Sequence, residues 1–207
     1  RGAPFKRPEW SALAMMVAPE IVKTVHKAFI ASGAAVIMTN SYAVVPFHIG
    51  ETRFADQGRE LAASAGRMAR AAATESRARV RVAGSIPPLF GSYRPDLYRP
   101  ERVEAIAPHL IEGLRPYVDL WLCETQSLID EPLRIKSLVG RLDGQNKPFW
   151  VAFTLEDARI PDEPVLRSGE AVVDAVKAMV TAKVDAILFN CCQPEVISQS
   201  IRATVEQ

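Results

Sequence analysis

The sequence predicts an α/β fold, a parallel sheet wrapped by helices that supplies five strand–helix units of a (β/α)8 barrel, a partial TIM barrel. Three observations carry this. Continuous apolar runs of strand length alternate with longer amphipathic segments of helical period, as expected of strands covered by crossover helices. No glycine-rich GxGxxG turn follows any strand; the stretch AGSIPP at 83–88 is the nearest and does not fit, which argues against a dinucleotide-binding sheet. Each strand ends on a polar residue, in turn Asn40, Ser85, Glu124, Thr154 and Cys191, at the end where a barrel builds its active site.

The elements follow in order. Residues 1–18 read as a loop. A helix is expected from Pro19, a favoured first-turn residue, with Ile21, Val22, Val25 and Phe29 on its core face and Gly33 as its stop. The apolar run at 34–40 follows as a strand. A long helix rich in alanine and arginine covers 56–77, and a strand at 80–85 is ended by Pro87 and Pro88. A helix at 100–114 precedes a strand at 118–125, and a helix at 130–141 leads through the turn DGQNKP to a strand at 149–155. Ser168 is placed to cap the next helix, whose core face is read as Val172, Val173, Val176 and Val180. A strand at 185–192 and a helix from Pro194 complete the pattern.

Composition sets the limits. The chain has 207 residues, 48% hydrophobic and 24% charged, with a formal net charge of +1, which suits one domain spanning 1–207. A balance so near neutrality gives no electrostatic reason to expect nucleic acid or an anionic membrane as partner. The opening RGAPFKRPEW lacks the apolar stretch of a signal peptide, and no run approaches the ~20 apolar residues of a membrane span. Three cysteines, two of them adjacent, do not make a paired disulfide framework, so a reducing, cytoplasmic setting with free or metal-bound thiols is expected. A closed barrel needs about 250 residues and eight strands, so the chain is expected to be truncated at both ends, its first strand included.

Cys191 is the sharpest candidate. A thiol at the C-terminal end of a buried strand points into the mouth of the sheet, where it can hold a soft cation or simply pack as a small hydrophobe. Asn190 beside it can fix the turn through its amide. Cys192 and Cys123 are expected to point away from the mouth by strand alternation. Glu124 closes the run LWLC, and a carboxylate so close to a buried strand needs a partner or a task. Binding a substrate ammonium, acid–base work and a salt bridge to Arg94 all remain open for it. Asn40, Ser41 and Tyr42 offer either polar contacts to a small substrate or turn bonding. Trp10 and Tyr93 lie in loops able to wall a pocket.

The stretches SALAMMVAPEIVKTVHKAFIASGAAVIMTNSY, RVAGSIPPLFGSY, VDLWLCETQSLIDE, FWVAFTLED and AILFNCCQPEVI, in this order, resemble the homocysteine S-methyltransferase family. The resemblance implies a barrel that binds zinc on three cysteine thiolates. One thiolate follows an asparagine at a strand end, and two adjacent ones lie in a GGCC motif. It implies Cys191 as the first of these ligands, Glu124 at the homocysteine amino group and Asn40 in the substrate pocket. The implied partners are homocysteine and a sulfonium donor, S-methylmethionine or S-adenosylmethionine, with methionine as product. The family's opening Asp-Gly-Gly motif and its GGCC pair do not occur in the 207 residues, so the chain alone is expected to bind zinc weakly and to be inactive. The competing expectation is a degenerate, metal-free barrel with a small-molecule-binding or non-catalytic role.

Overall fold

A computed structural model describes residues 8–158 and 163–205. Among them five strands form one sheet: β1 (Val36–Met38), β2 (Arg81–Ile86), β3 (Leu120–Gln126), β4 (Phe149–Phe153) and β5 (Ala186–Phe189). All pairings are parallel and the spatial order β1-β2-β3-β4-β5 repeats the chain order. Sequential parallel strands joined by right-handed crossovers put every connecting helix on one face, whereas a doubly wound sheet reverses direction and covers both. The protein therefore has the strand order of a barrel wall.

The helices are α1 (Trp10–Val17), α2 (Pro19–Ala31), the single turn α3 (Pro46–Ile49), α4 (Glu51–Thr74), α5 (Val103–Leu114), α6 (Asp130–Leu142), α7 (Val172–Thr181) and α8 (Pro194–Val205). Strand alternation divides the apolar residues cleanly. Val82, Ile86, Trp121, Cys123, Phe149, Val151 and Phe153 pack outward into the main core with the helices. Ala83, Leu120, Leu122 and Ala152, with Val36 and Trp150, form a second cluster on the concave face. Cys123 thus points away from the concave face, as alternation requires.

The tightest helix contact is that of α4 with α5. A Cβ added to Gly113 would stand 2.5 Å from the Arg59 carbonyl oxygen and 2.8 Å from the Ala62 Cβ, so only glycine permits this approach. Gly33, at φ +98°, ends α2 in the left-handed region that L side chains avoid.

Four details differ from expectation. Residues 10–17 form α1 rather than loop, with Ala12 and Met15 buried; the helix has no side-chain N-cap and almost no polar face, so neither usual signal was present. Ser168 does not cap α7. The N-cap is Ala171, and Ser168 bonds Glu170 within a small bridged loop made by Leu155 with Leu166 and Val165 with Ala171. The buried face of α7 is Val172, Ala175, Val176 and Met179, while Val180 is 62% exposed. In α2 the buried stripe is Val22, His26 and Ile30, spaced by four as a helix face requires, and Phe29 looks into a groove with Met38, Trp150 and Leu188 beside the outer edge of β1.

Candidate active site

The sheet delivers its polar residues to one end. Beyond the last regular pairing, backbone bonds continue from Thr39 N to Ala83 O (2.9 Å), Thr154 N to Gln126 O (2.9 Å) and Asn190 N to Phe153 O (3.0 Å). Residues that close the strands therefore stay fixed to the ladder.

At β1 and β2 a closed set of hydroxyl bonds organises the floor. Ser41 Oγ donates to the Ser85 carbonyl at 2.7 Å and Ser85 N–H donates to Thr39 Oγ1 at 2.9 Å. With the Ser41 proton committed, the 2.9 Å contact between Thr39 and Ser41 has Thr39 as donor. The Ser85 hydroxyl is left to donate to Glu124 Oε1. Burial pushes the Glu124 carboxyl above the usual carboxylate range, and the Ser85 hydroxyl pulls the other way. Among the described residues no arginine or lysine pairs with Glu124. Arg94 forms its ion pair with Asp96 instead (2.6 Å), so the expected alternative of an Arg94 bridge is not formed.

At β3 the pairing with β4 shifts register between Cys123 and Gln126, a bulge that re-aims the strand end. Thr125 there takes φ +58°, and Cys191 beyond β5 takes φ +54°. Left-handed backbone is strained for both, most for the β-branched threonine. Asn190 holds the pair together. Its Oδ1 accepts from Thr125 N–H (3.2 Å) and its Nδ2 donates to Thr125 Oγ1 (3.1 Å). The threonine hydroxyl then donates to Cys191 Sγ at 3.7 Å, and Thr154 Oγ1 donates to the Cys191 carbonyl at 3.1 Å.

Aromatic residues stand around this floor. Tyr42 shares a 2.7 Å bond with Ser92; burial raises its phenol pKa, and the charges of Glu124 and Cys191 act in the same direction. Burial, followed by the influence of the nearby Cys191, pushes the Tyr93 phenol pKa up to about 12. Trp10 lies edge-on to Tyr42, with ring centres 5.8 Å apart, and stacks on His48. Asn40 is half-buried and its Nδ2 donates to the Ser11 carbonyl at 3.1 Å, tying the start of α1 to the strand end.

The structure thus brings Glu124, Cys191 and Tyr42 to one mouth, with Asn40 at its rim. Sequence reasoning missed Arg167 and Asp157. They form a 2.8 Å ion pair, the Arg167 guanidinium covers the Tyr93 ring at 5.2 Å, and Asp157 Oδ2 accepts from Gln193 N–H at 2.9 Å. The only signal for them was an acid two residues beyond an apolar run. Cys191 is exposed, while Cys192 is partly buried against the main core, so the adjacent thiols do not serve one ion together. Among the described residues no group of three His, Cys, Asp or Glu is placed to hold a metal. One open thiol is short of the three protein ligands that a catalytic zinc uses.

The profile of the homocysteine S-methyltransferase family matches residues 3–207. The chain belongs to that family. Homocysteine S-methyltransferase 1 of Brassica oleracea var. italica is 25% identical over 97% of this chain and 67% of its own length. The Zea mays protein of the same name is 27% identical over 95% and 66%. The chain thus spans about two thirds of the length of these relatives. Among solved structures, the metallated form of the homocysteine methyltransferase MmuM from Escherichia coli superposes with a TM-score of 0.83 at 26% identity, covering 98% of this chain and 73% of that one. The five strands and their helices are those of a homocysteine methyltransferase barrel.

Proposed function

We propose that this chain forms the homocysteine-binding part of a methyltransferase, a single barrel domain that moves a methyl group from a sulfonium donor to the thiol of homocysteine and yields methionine. The observation that carries the reading is Glu124: a half-buried carboxylate without a cationic partner among the described residues, at the strand end beside the mouth that also holds Cys191. Such a group is costly unless a cation completes it, and the ammonium of an amino acid is a cation of suitable size. Ser85 fixes the carboxylate from beneath, and Asn40 borders the substrate pocket. Homocysteine gives up its thiol proton, its sulfur forms a bond to the methyl carbon, and the donor's carbon–sulfur bond breaks to release a neutral thioether. S-methylmethionine and S-adenosylmethionine both satisfy this balance.

Bound zinc would supply the charge that keeps a substrate thiol ionised at neutral pH. Cys191 is the residue of this chain we assign to it, as one ligand of a set that the described residues do not complete. That shortfall also supports a second reading, a metal-free barrel that binds a small amino acid without turning it over. Three unpaired thiols are in keeping with a reducing, cytoplasmic setting, and no helix among the described residues is long and apolar enough to cross a membrane. The test is methionine formation by the full gene product supplied with zinc, homocysteine and each sulfonium donor in turn. Methionine with one donor supports the enzyme. Homocysteine binding without methionine from any donor supports the second reading, and neither binding nor turnover removes both.

A further inference from the structure

Thr125 stands in a place that suits its residue type poorly. It is fully buried at the end of β3 and takes φ +58°. Left-handed backbone strains a β-branched side chain, whereas glycine or asparagine takes it at little cost. The register shift against β4 turns the strand here, and a glycine would serve that turn better. A strained residue that persists points to something its side chain supplies.

What it supplies is a hydroxyl with a fixed direction. A backbone N–H only donates, so the 3.2 Å bond from Thr125 N–H makes Asn190 Oδ1 the acceptor and sets the orientation of the amide. Nδ2 is then the donor to Thr125 Oγ1 at 3.1 Å. The threonine keeps its own proton for Cys191 Sγ, 3.7 Å away. Valine would have the same shape and the same strain, and neither side-chain bond.

The backbone around Cys191 is fixed without that contact. Asn190 N–H donates to the Phe153 carbonyl at 3.0 Å, and the buried Thr154 hydroxyl donates to the Cys191 carbonyl at 3.1 Å. Cys191 itself is exposed, so packing does little to choose among its rotamers, and rotation about χ1 is the freedom left to the sulfur. A thiol sulfur is a weak acceptor. The bond from Thr125 therefore counts for direction more than for stability.

We propose that Thr125 is a positioning residue: its hydroxyl, oriented by Asn190, holds the Cys191 sulfur in one rotamer at the mouth, where it can meet a thiophilic cation. That the cation is zinc rests on the reading of Cys191 given above; the rotamer does not depend on it.

The experiment is NMR of the 207-residue chain with cysteine as its labelled residue, the two Hα–Hβ couplings of Cys191 reporting χ1. Thr125→Val removes the hydroxyl at constant shape, and Thr125→Ser keeps it. Wild type and T125S are expected to show the couplings of a single rotamer. In T125V those of Cys191 move to rotamer-averaged values, while those of Cys123 and Cys192 stay. Unchanged Cys191 couplings in T125V overturn the proposal. So does averaging already present in wild type, averaging at all three cysteines, which is general loosening, or a T125S pattern equal to that of T125V. Should T125V fail to fold, Thr125→Ala drops both the branch and the hydroxyl and is read in the same way. In the full gene product, competition for zinc against a chromophoric chelator is expected to show an affinity weakened about tenfold or more in T125V and held in T125S, as for other groups that orient a metal ligand. Equal zinc affinity in T125V and wild type overturns the proposal. A gene product that takes up no zinc while the couplings behave as stated removes the functional reading and leaves the positioning role standing.

Discussion

Asn190 and Thr125 bond each other twice across the intervening strand β4, amide oxygen to backbone N–H at 3.2 Å and amide nitrogen to hydroxyl at 3.1 Å. This one side chain holds the left-handed Thr125 directly, and the left-handed Cys191 next in sequence takes the Thr125 hydroxyl in turn. Replacing Asn190 by Ala removes both bonds and leaves part-buried polar groups unpaired, a loss of about 1–3 kcal/mol. For a chain of this size that lowers Tm by roughly 2–4 °C per kcal/mol. Thermal unfolding of N190A checks it, and a melting curve identical to wild type would show that the strain is held elsewhere. Asn190→Asp keeps the acceptor for Thr125 N–H and is expected to fall between the two.

Much of this site was legible because it sits where strand periodicity places it. Alternation along LWLCET put Glu124 on the concave face and Cys123 in the outer core; Cys123 packs in that core, and Glu124 takes the Ser85 hydroxyl of the neighbouring strand. The bulge that turns Thr125 was not legible, since it arises from a register shift against β4 and leaves no composition signal. Arg167 was missed for a similar reason: its tie to Tyr93 joins loops more than 70 residues apart. Helix α1 escaped because it has neither cap nor amphipathic pattern, and the faces of α2 and α7 were misjudged because large apolar residues occur on both sides of each. Periodicity reports which face is apolar on average; it does not report which neighbour is present to cover it.

Glu124→Gln separates charge from shape. The amide can still bond Ser85, so the floor of the site persists, but the attraction for an ammonium is lost. A hydrogen bond to a charged group contributes about 1.5–3 kcal/mol, so homocysteine binding to the full gene product is expected to weaken by roughly ten- to hundredfold. Stability should hold or rise, because a half-buried carboxylate that desolvation pushes up in pKa, without a cation beside it, has been removed. Titration calorimetry with homocysteine decides the point, and unchanged affinity would end the assignment of Glu124 to the amino group.

Metal retention follows from the ligand count. With one exposed thiol and no three-ligand cluster among the described residues, the 207-residue chain is expected to lose zinc on dialysis, leaving well below one ion per chain. Elemental analysis before and after dialysis is the measurement. Stoichiometric zinc that survives dialysis, and disappears in Cys191→Ser, would mean that this chain supplies a complete site.

Gly113→Ala tests the helix contact that supports the wall. Its Cβ would meet backbone atoms of α4 at 2.5 Å and 3.0 Å, and backbone does not yield as a flexible side chain does. Overpacking of this kind costs about 1–3 kcal/mol, more than the helix-propensity gain of about 1 kcal/mol from losing a glycine. A net fall in denaturant midpoint is expected; an unchanged or higher midpoint would mean that α4 and α5 separate at little cost.

Glu131 gives the chain a pH-dependent stability whose sign is opposite to that of a salt-bridged carboxylate. Burial pushes its pKa from the ordinary 4.5 up to about 7, with the Leu89 N–H bond pulling down and Asp130 pushing up. Between pH 4.5 and 7 the folded chain keeps a proton that the unfolded chain has released. Stability therefore falls as pH rises through that window, and the full cost is present above pH 7. The displacement corresponds to about 3 kcal/mol at most. Glu131→Gln has no such titration and retains an acceptor for Leu89. The gap in Tm between E131Q and wild type should be small near pH 5 and should widen by several degrees in favour of E131Q by pH 8. Melting curves of both proteins in one buffer series check this. A gap that stays constant with pH would show that Glu131 does not titrate in the folded chain within this range.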